Sequence, residues 1–187
     1  LGRTLAEEIA PDVDLVTFLP RSPETAARSY ADSRGLPFEQ IFYKVNKQRS
    51  FLESNQQARE HSIQKNLFIR PEMREVLRGK RVVIVDDSIV RGTNSRYVGK
   101  LLSETGVRRA YLASCTPRIG IIGADGVARG CEYGVDMPPD GTFIARDDLA
   151  ARNRSEAEIS DIVGLDVRYL SVDGIKRAYS NAGIEAS

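Results

Sequence analysis

The chain has 187 residues, with 27 Lys plus Arg against 26 Asp plus Glu, one His, two Cys and no Trp. At about 100 to 200 residues per domain, residues 1–187 read as a single domain with a sizeable core. A net charge of +1 and a pI near 7.9 exclude the basic surplus that dedicated nucleic-acid or membrane-surface binders use to neutralise phosphates, so neither partner is expected. No apolar run approaches the ~20 residues of a membrane span, because the longest, Val82 to Val85, stops at two aspartates. Cys115 and Cys131 are too few for a disulfide framework and lack CxxC spacing, which points to a reducing cytoplasm. Leu1-Gly2-Arg3 lacks the layout of a signal peptide, and a chain that starts on Leu reads as a piece of a longer polypeptide.

Short apolar runs alternate with helical stretches, the pattern of an α/β chain with a parallel sheet covered on both faces. Val13 to Leu19 reads as a strand closed by Pro20. Pro23 to Arg34 reads as a helix with Pro in its first turn and Gly35 past its end, and Phe38 to Tyr43 as the next strand. From Lys44 to about Phe68 apolar residues are sparse and follow neither period, the signature of a frayed helix or of a long mobile loop, which at such length is usually a functional lid or disordered. Val82 to Val85 is a buried strand, Asn94 to Thr105 a helix stopped by Gly106, and Ala110 to Ser114 a strand. After Pro117 the chain turns rich in glycine and proline, a connection over the sheet. Ser155 with Glu158 forms a capping box for a helix to Val163, followed by a strand over Val167 to Ser171 and a helix over Val172 to Ala182.

The chemistry concentrates in VVIVDDSIVRGTNS, Val82 to Ser95. Four apolar residues suit a central parallel strand buried on both faces. Asp86 and Asp87 then stand at its carboxyl end, where parallel sheets bind ligands. Ser88, Ile89, Val90, Arg91, Gly92 and Thr93 turn the chain into a helix whose first N–H groups, with the Ser88, Thr93 and Ser95 hydroxyls, form a cradle for a phosphate dianion. The aspartates, being acceptors, suit hydroxyls such as a ribose cis-diol, with Mg²⁺ offsetting the crowded negative charge. A sugar phosphate uses every one of these residues.

This segment resembles the phosphoribosyl pyrophosphate (PRPP) signature of type I phosphoribosyltransferases, and in its SIVRGT form it is similar to that of the amidophosphoribosyltransferase family. Arg49-Ser50-Phe51 is similar to the family's Arg-Thr-Phe flexible loop, and Tyr133-Gly134-Val135-Asp136-Met137-Pro138 to its Tyr-Gly-Ile-Asp-Met-Pro segment. The matching stretches run from about Leu15 to Tyr179. The resemblance implies a type I phosphoribosyltransferase fold: a mainly parallel central sheet, helices on both faces and a flexible lid. It implies a pentosyltransferase that makes 5-phosphoribosylamine and pyrophosphate from PRPP and ammonia, the first step of de novo purine synthesis. In the family a glutaminase domain, of which nothing here is similar, releases the ammonia from glutamine.

Carried over by residue, the resemblance implies that Asp86 and Asp87 contact the ribose hydroxyls and take Mg²⁺ through the substrate or water. Ser88 through Thr93, with Ser95, would hold the 5′-phosphate, while Arg49 and Lys44 act as catalytic lid cations. Arg21 and Ser22 fall on the family's short pyrophosphate loop, where an acidic and small polar residues are usual. Lys44-Val45-Asn46-Lys47-Gln48 likewise departs from the family's Lys-Asn-Arg-Tyr. These departures bear on turnover rather than on ligand identity. Cys131 matches one ligand of the family's iron-sulfur cluster, which only a longer parent chain could complete. A homo-oligomer is implied, and a PRPP sensor with little turnover, or a transferase acting on a base, stand as the alternatives. His61, in the polar lid segment, reads as a solvated side chain and Cys115 as core packing.

Overall fold

The computed structural model describes residues 1–20, 22–45, 66–130 and 137–183. In chain order these form α1 (Gly2–Glu8), β1 (Leu15–Phe18), α2 (Glu24–Arg34), β2 (Phe42–Lys44), β3 (Leu67–Ile69), α3 (Met73–Leu77), β4 (Arg81–Asp86) and α4 (Thr93–Ser103). After them come β5 (Arg109–Ser114), β6 (Arg146–Asp147), β7 (Arg152–Asn153), α5 (Glu156–Val163), β8 (Asp166–Tyr169) and α6 (Val172–Asn181). A four-stranded sheet of order β1-β4-β5-β8 is parallel throughout, so β4 is central, as its unbroken run of valine and isoleucine requires.

Strand alternation divides the core between the two faces. Val82 and Ile84 join Leu112 and Val167 under Val98 and Leu102 of α4 and Ile159 of α5. Val83 and Val85 join Val16, Phe18 and Ala113 under Leu5 of α1 and Ala27 and Tyr30 of α2. Each fully buried side chain of this size contributes about 1.5 to 3 kcal/mol. Gly2 lets α1 sit this close, since a Cβ there would lie 2.0 Å from the Ala26 carbonyl oxygen.

Several boundaries follow from local chemistry. Gly35, at φ +60°, closes α2 by donating to the Ala31 and Asp32 carbonyls, the left-handed stop that glycine permits. The capping box at α5 forms in both directions: Ser155 N–H donates to Glu158 Oε2 at 2.8 Å, and Glu158 N–H to Ser155 Oγ at 3.2 Å. Arg152 grips the same carboxylate, so Arg152 first, then the Ser155 N–H and hydroxyl, hold Glu158 down at about 2.

The structure corrects the expected strand over Phe38 to Tyr43. Phe38 only bridges to Val16, with Val16 N–H donating to Pro37 O and Glu39 N–H to Val16 O. The chain then leaves the sheet, and β2 pairs antiparallel with β3. The expected loop therefore ends early: Leu67 and Phe68 lie in β3, while residues 46–65 of the expected lid lie outside the described residues. Sequence reasoning also passed over α1 and α3, both short. At the other sheet edge, Val167 N–H donates to Ser160 Oγ of α5 at 2.8 Å. No helix among the described residues is long and apolar enough to cross a membrane.

Candidate active site

At the carboxyl end of β4 the chain passes from a buried carboxylate to an exposed one: Asp86 is 7 % exposed and Asp87 open to solvent. Asp87 N–H donates to Asp86 Oδ1 at 2.9 Å, and Ser88 N–H to Asp87 Oδ1 at 2.8 Å. Burial, then the Asp87 charge, push the Asp86 carboxyl well above the ordinary range, opposed by the cation of Lys44. Of the two expected lid cations, Lys44 is the one whose charge is felt at Asp86. It occupies the last position of β2, in register with Leu67.

The chain then dips and rises. Ile89 is buried at 1 % exposure, so its contribution to a ligand site is confined to its backbone. Gly92 sits at φ +71° and opens α4 with no side-chain cap. A helix start of this kind directs N–H groups and a partial positive charge outward. Thr93 is half-buried and Ser95, at 2 % exposure, is buried in the first turn of α4. Arg91 accepts a hydrogen bond at its carbonyl from the Arg96 guanidinium, 3.2 Å. Ser22 is exposed just past β1, the strand paired with β4, and so shares the carboxyl edge with the acidic pair. Arg21, Arg49, Cys131 and residues 133–136 lie outside the described residues.

Register adds residues that sequence reasoning missed. Asp86 pairs with Ser114, and Ser114 with Tyr169. Three side chains on one face of three neighbouring strands thus line the carboxyl edge, with Thr116 Oγ1 3.3 Å from Ser114 Oγ. Only the long-range strand pairing aligns them, so no local signal could have found them. Cys115 is buried, its thiol pushed up to about 12 by burial and then by Asp86 and Asp87, which makes it an inert core residue. The Tyr169 hydroxyl is buried without a hydrogen-bond partner among the described residues. Such a group costs about 1 to 3 kcal/mol. Tyr169→Phe should therefore melt at or above the parent temperature, and a lower melting temperature would show that the hydroxyl is bonded after all.

A groove of about 700 Å³ between α4 and α5 opens at the opposite edge of the sheet, lined by Leu102, Arg108, Arg109 and Leu165, and includes none of these residues. Among the described residues no group of three or more His, Cys, Asp or Glu could hold a metal unaided.

No family model matches the chain. The amidophosphoribosyltransferase of Archaeoglobus fulgidus is 35 % identical over 185 residues, which cover 98 % of this chain and 37 % of that protein. That of Bacillus subtilis is 36 % identical over 177 residues, covering 94 % and 34 %. The chain is homologous to the amidophosphoribosyltransferases. It spans about a third of the length of these relatives. The solved glutamine PRPP amidotransferase from B. subtilis, complexed with ADP and GMP, superposes with a TM-score of 0.70 at 34 % identity, over 94 % of this chain and 35 % of that one. The parallel sheet flanked by helices is accordingly the type I phosphoribosyltransferase fold seen in these amidophosphoribosyltransferases.

Proposed function

We propose that residues 1–187 act as a phosphoribosyltransferase domain that forms 5-phosphoribosylamine and pyrophosphate from PRPP and ammonia, the first step of de novo purine synthesis. The observation that carries this reading is the acidic pair ending the central strand and leading directly into a helix start opened by Gly92. Asp86 and Asp87 would accept from the two ribose hydroxyls, and the N–H groups from Ser88 to Thr93 would hold the 5′-phosphate. A ligand gripped at both ends presents its anomeric carbon in one orientation. Ser22 and Lys44 would meet the pyrophosphate side.

The site suits Mg²⁺, since two adjacent carboxylates supply the hard oxygen donors that this ion takes. With only two protein carboxylates available, the remaining donors would be substrate oxygens and water. Bound there, Mg²⁺ supplies positive charge to the departing pyrophosphate. The protein's own part is to fix the sugar, keep the acceptors of Asp86 and Asp87 beside the charge that develops on the ring, and limit the water that competes with ammonia. The reading includes a cytoplasmic setting and ammonia drawn from glutamine by a glutaminase domain.

A pyrophosphate-release assay tests it. The chain should turn over PRPP with ammonia and not with glutamine, because glutamine hydrolysis needs an activated thiolate: Cys115 is buried and protonated, and Cys131 stands in a glycine-rich stretch of sequence far from the single His61. The rate should rise with pH as unprotonated ammonia accumulates. Release with neither donor, while PRPP still binds, would favour the sensor; release with a purine or pyrimidine base would favour the base transferase.

A further inference from the structure

Residues Phe143 to Arg146 lie in the glycine- and proline-rich connection, yet all four are buried, at 2, 4, 0 and 3 % exposure. Arg146 is the unusual member, a buried cation. It pairs with Asp148 and donates to three carbonyls: Gly120 at 3.4 Å, Pro139 at 3.0 Å and Gly141 at 2.8 Å. Its guanidinium lies 5.2 Å from the Phe143 ring centroid. From the other side Arg154 N–H donates to the Ala145 carbonyl at 2.9 Å, and the Arg154 guanidinium to the Ile144 carbonyl at 3.1 Å. The segment is therefore fixed on both sides by arginine.

What it fixes is the turn after the acidic pair. Ile144 N–H donates to the Val90 carbonyl at 2.9 Å, and a Cβ on Gly92 would lie 2.3 Å from Ile144 Cδ1. The trans peptide is planar with its C=O and N–H opposed. Drawing the Val90 carbonyl toward Ile144 hence turns the Arg91 N–H the other way and keeps a carbonyl oxygen from facing a bound anion.

From this we infer that Arg146 is a positioning residue for the phosphate-binding turn, acting through the backbone and side chain of Ile144. The inference rests on the proposed sugar-phosphate reading. Arg146 does not touch the ligand; it holds the segment whose N–H sets the peptide that does.

Calorimetry on the full chain tests it, with ribose 5-phosphate as the ligand that needs the turn and magnesium pyrophosphate as one that does not. Arg146→Met should weaken ribose 5-phosphate about 10-fold, the scale of one misdirected hydrogen bond, and leave pyrophosphate within about twofold. Arg146→Lys, with a point charge in place of a planar fork, should recover part of the loss. Ile144→Ala keeps the N–H and removes the contact over Gly92 together with part of the core packing; it should show a smaller loss with the same ligand preference, and it decides the matter if Arg146→Met does not fold. Unchanged ribose 5-phosphate affinity, or an equal loss of both ligands, overturns the positioning role. If the unsubstituted chain itself fails to bind ribose 5-phosphate, the sugar-phosphate reading falls instead.

Discussion

Asp86→Asn is expected to raise the melting temperature of the free protein at neutral pH while weakening PRPP binding by at least tenfold. The buried carboxyl sits beside Asp87, and its affinity for a proton is raised in the folded state. In the unfolded chain it titrates near the usual aspartate value of about 3.9. A raised folded value means that the folded state binds the proton more tightly. The stabilisation is fully present below about pH 4 and is lost as pH rises through the raised folded value. The parent should thus lose stability across that window and the asparagine variant should not. The gap between them should be widest above it, about 1 kcal/mol or more on the scale of a relieved functional site. Melting curves for both proteins as the pH is raised from about 3.5, just below the unfolded aspartate value, check this; parallel profiles would show that Asp86 is not the group under strain. Binding moves the other way because a hydrogen bond to a charged acceptor contributes about 1.5 to 3 kcal/mol, of which a neutral amide keeps only part.

Gly92→Ala should damage both the fold and the site. At φ +71° an alanine carries left-handed strain of about 1 to 3 kcal/mol, and its methyl group would lie 2.3 Å from Ile144 Cδ1, which forces that side chain aside. The expected result is a loss of about 2 kcal/mol or more in stability, together with loss of ribose 5-phosphate binding. Asparagine tolerates the left-handed region better, so Gly92→Asn should be the more stable of the two if backbone strain dominates. Equal stability of the two variants would assign the cost to the clash with Ile144. Denaturant unfolding and calorimetry on the same preparations separate these outcomes.

What could be read from the sequence was local. β4 announces itself because a run of branched apolar residues has one comfortable place in a parallel sheet, and α5 because Ser155 and Glu158 stand three apart. The acidic pair was legible as a candidate site for the same reason: its position at a strand end and the glycine that follows are neighbours in sequence. The misses needed distant partners. Nothing near Phe42 says that it pairs with Ile69, and the Asp86, Ser114 and Tyr169 row exists only once three strands are in register. Phe143 to Arg146 were the hardest case. Amid glycines and prolines they look like surface connection, and only the carbonyls of Gly120, Pro139 and Gly141 gathered around Arg146 make burial of that charge tolerable.

An open sheet ordinarily ends in rows of unmet amides that invite another chain to continue it, the route to fibrils and runaway self-assembly. Here both borders carry a closure. Along β1 the stretch from Pro37 to Glu39 occupies Val16 on its outer side, and proline, with no N–H, cannot pass the pairing onward. Along β8 the Ser160 hydroxyl occupies the Val167 amide, while Arg168 and Asp166 put charges at the rim. At these positions strand addition is blocked, so a neighbouring molecule would have to meet the protein through its side chains, where surface substitutions can adjust the attraction without touching the sheet that carries the acidic pair.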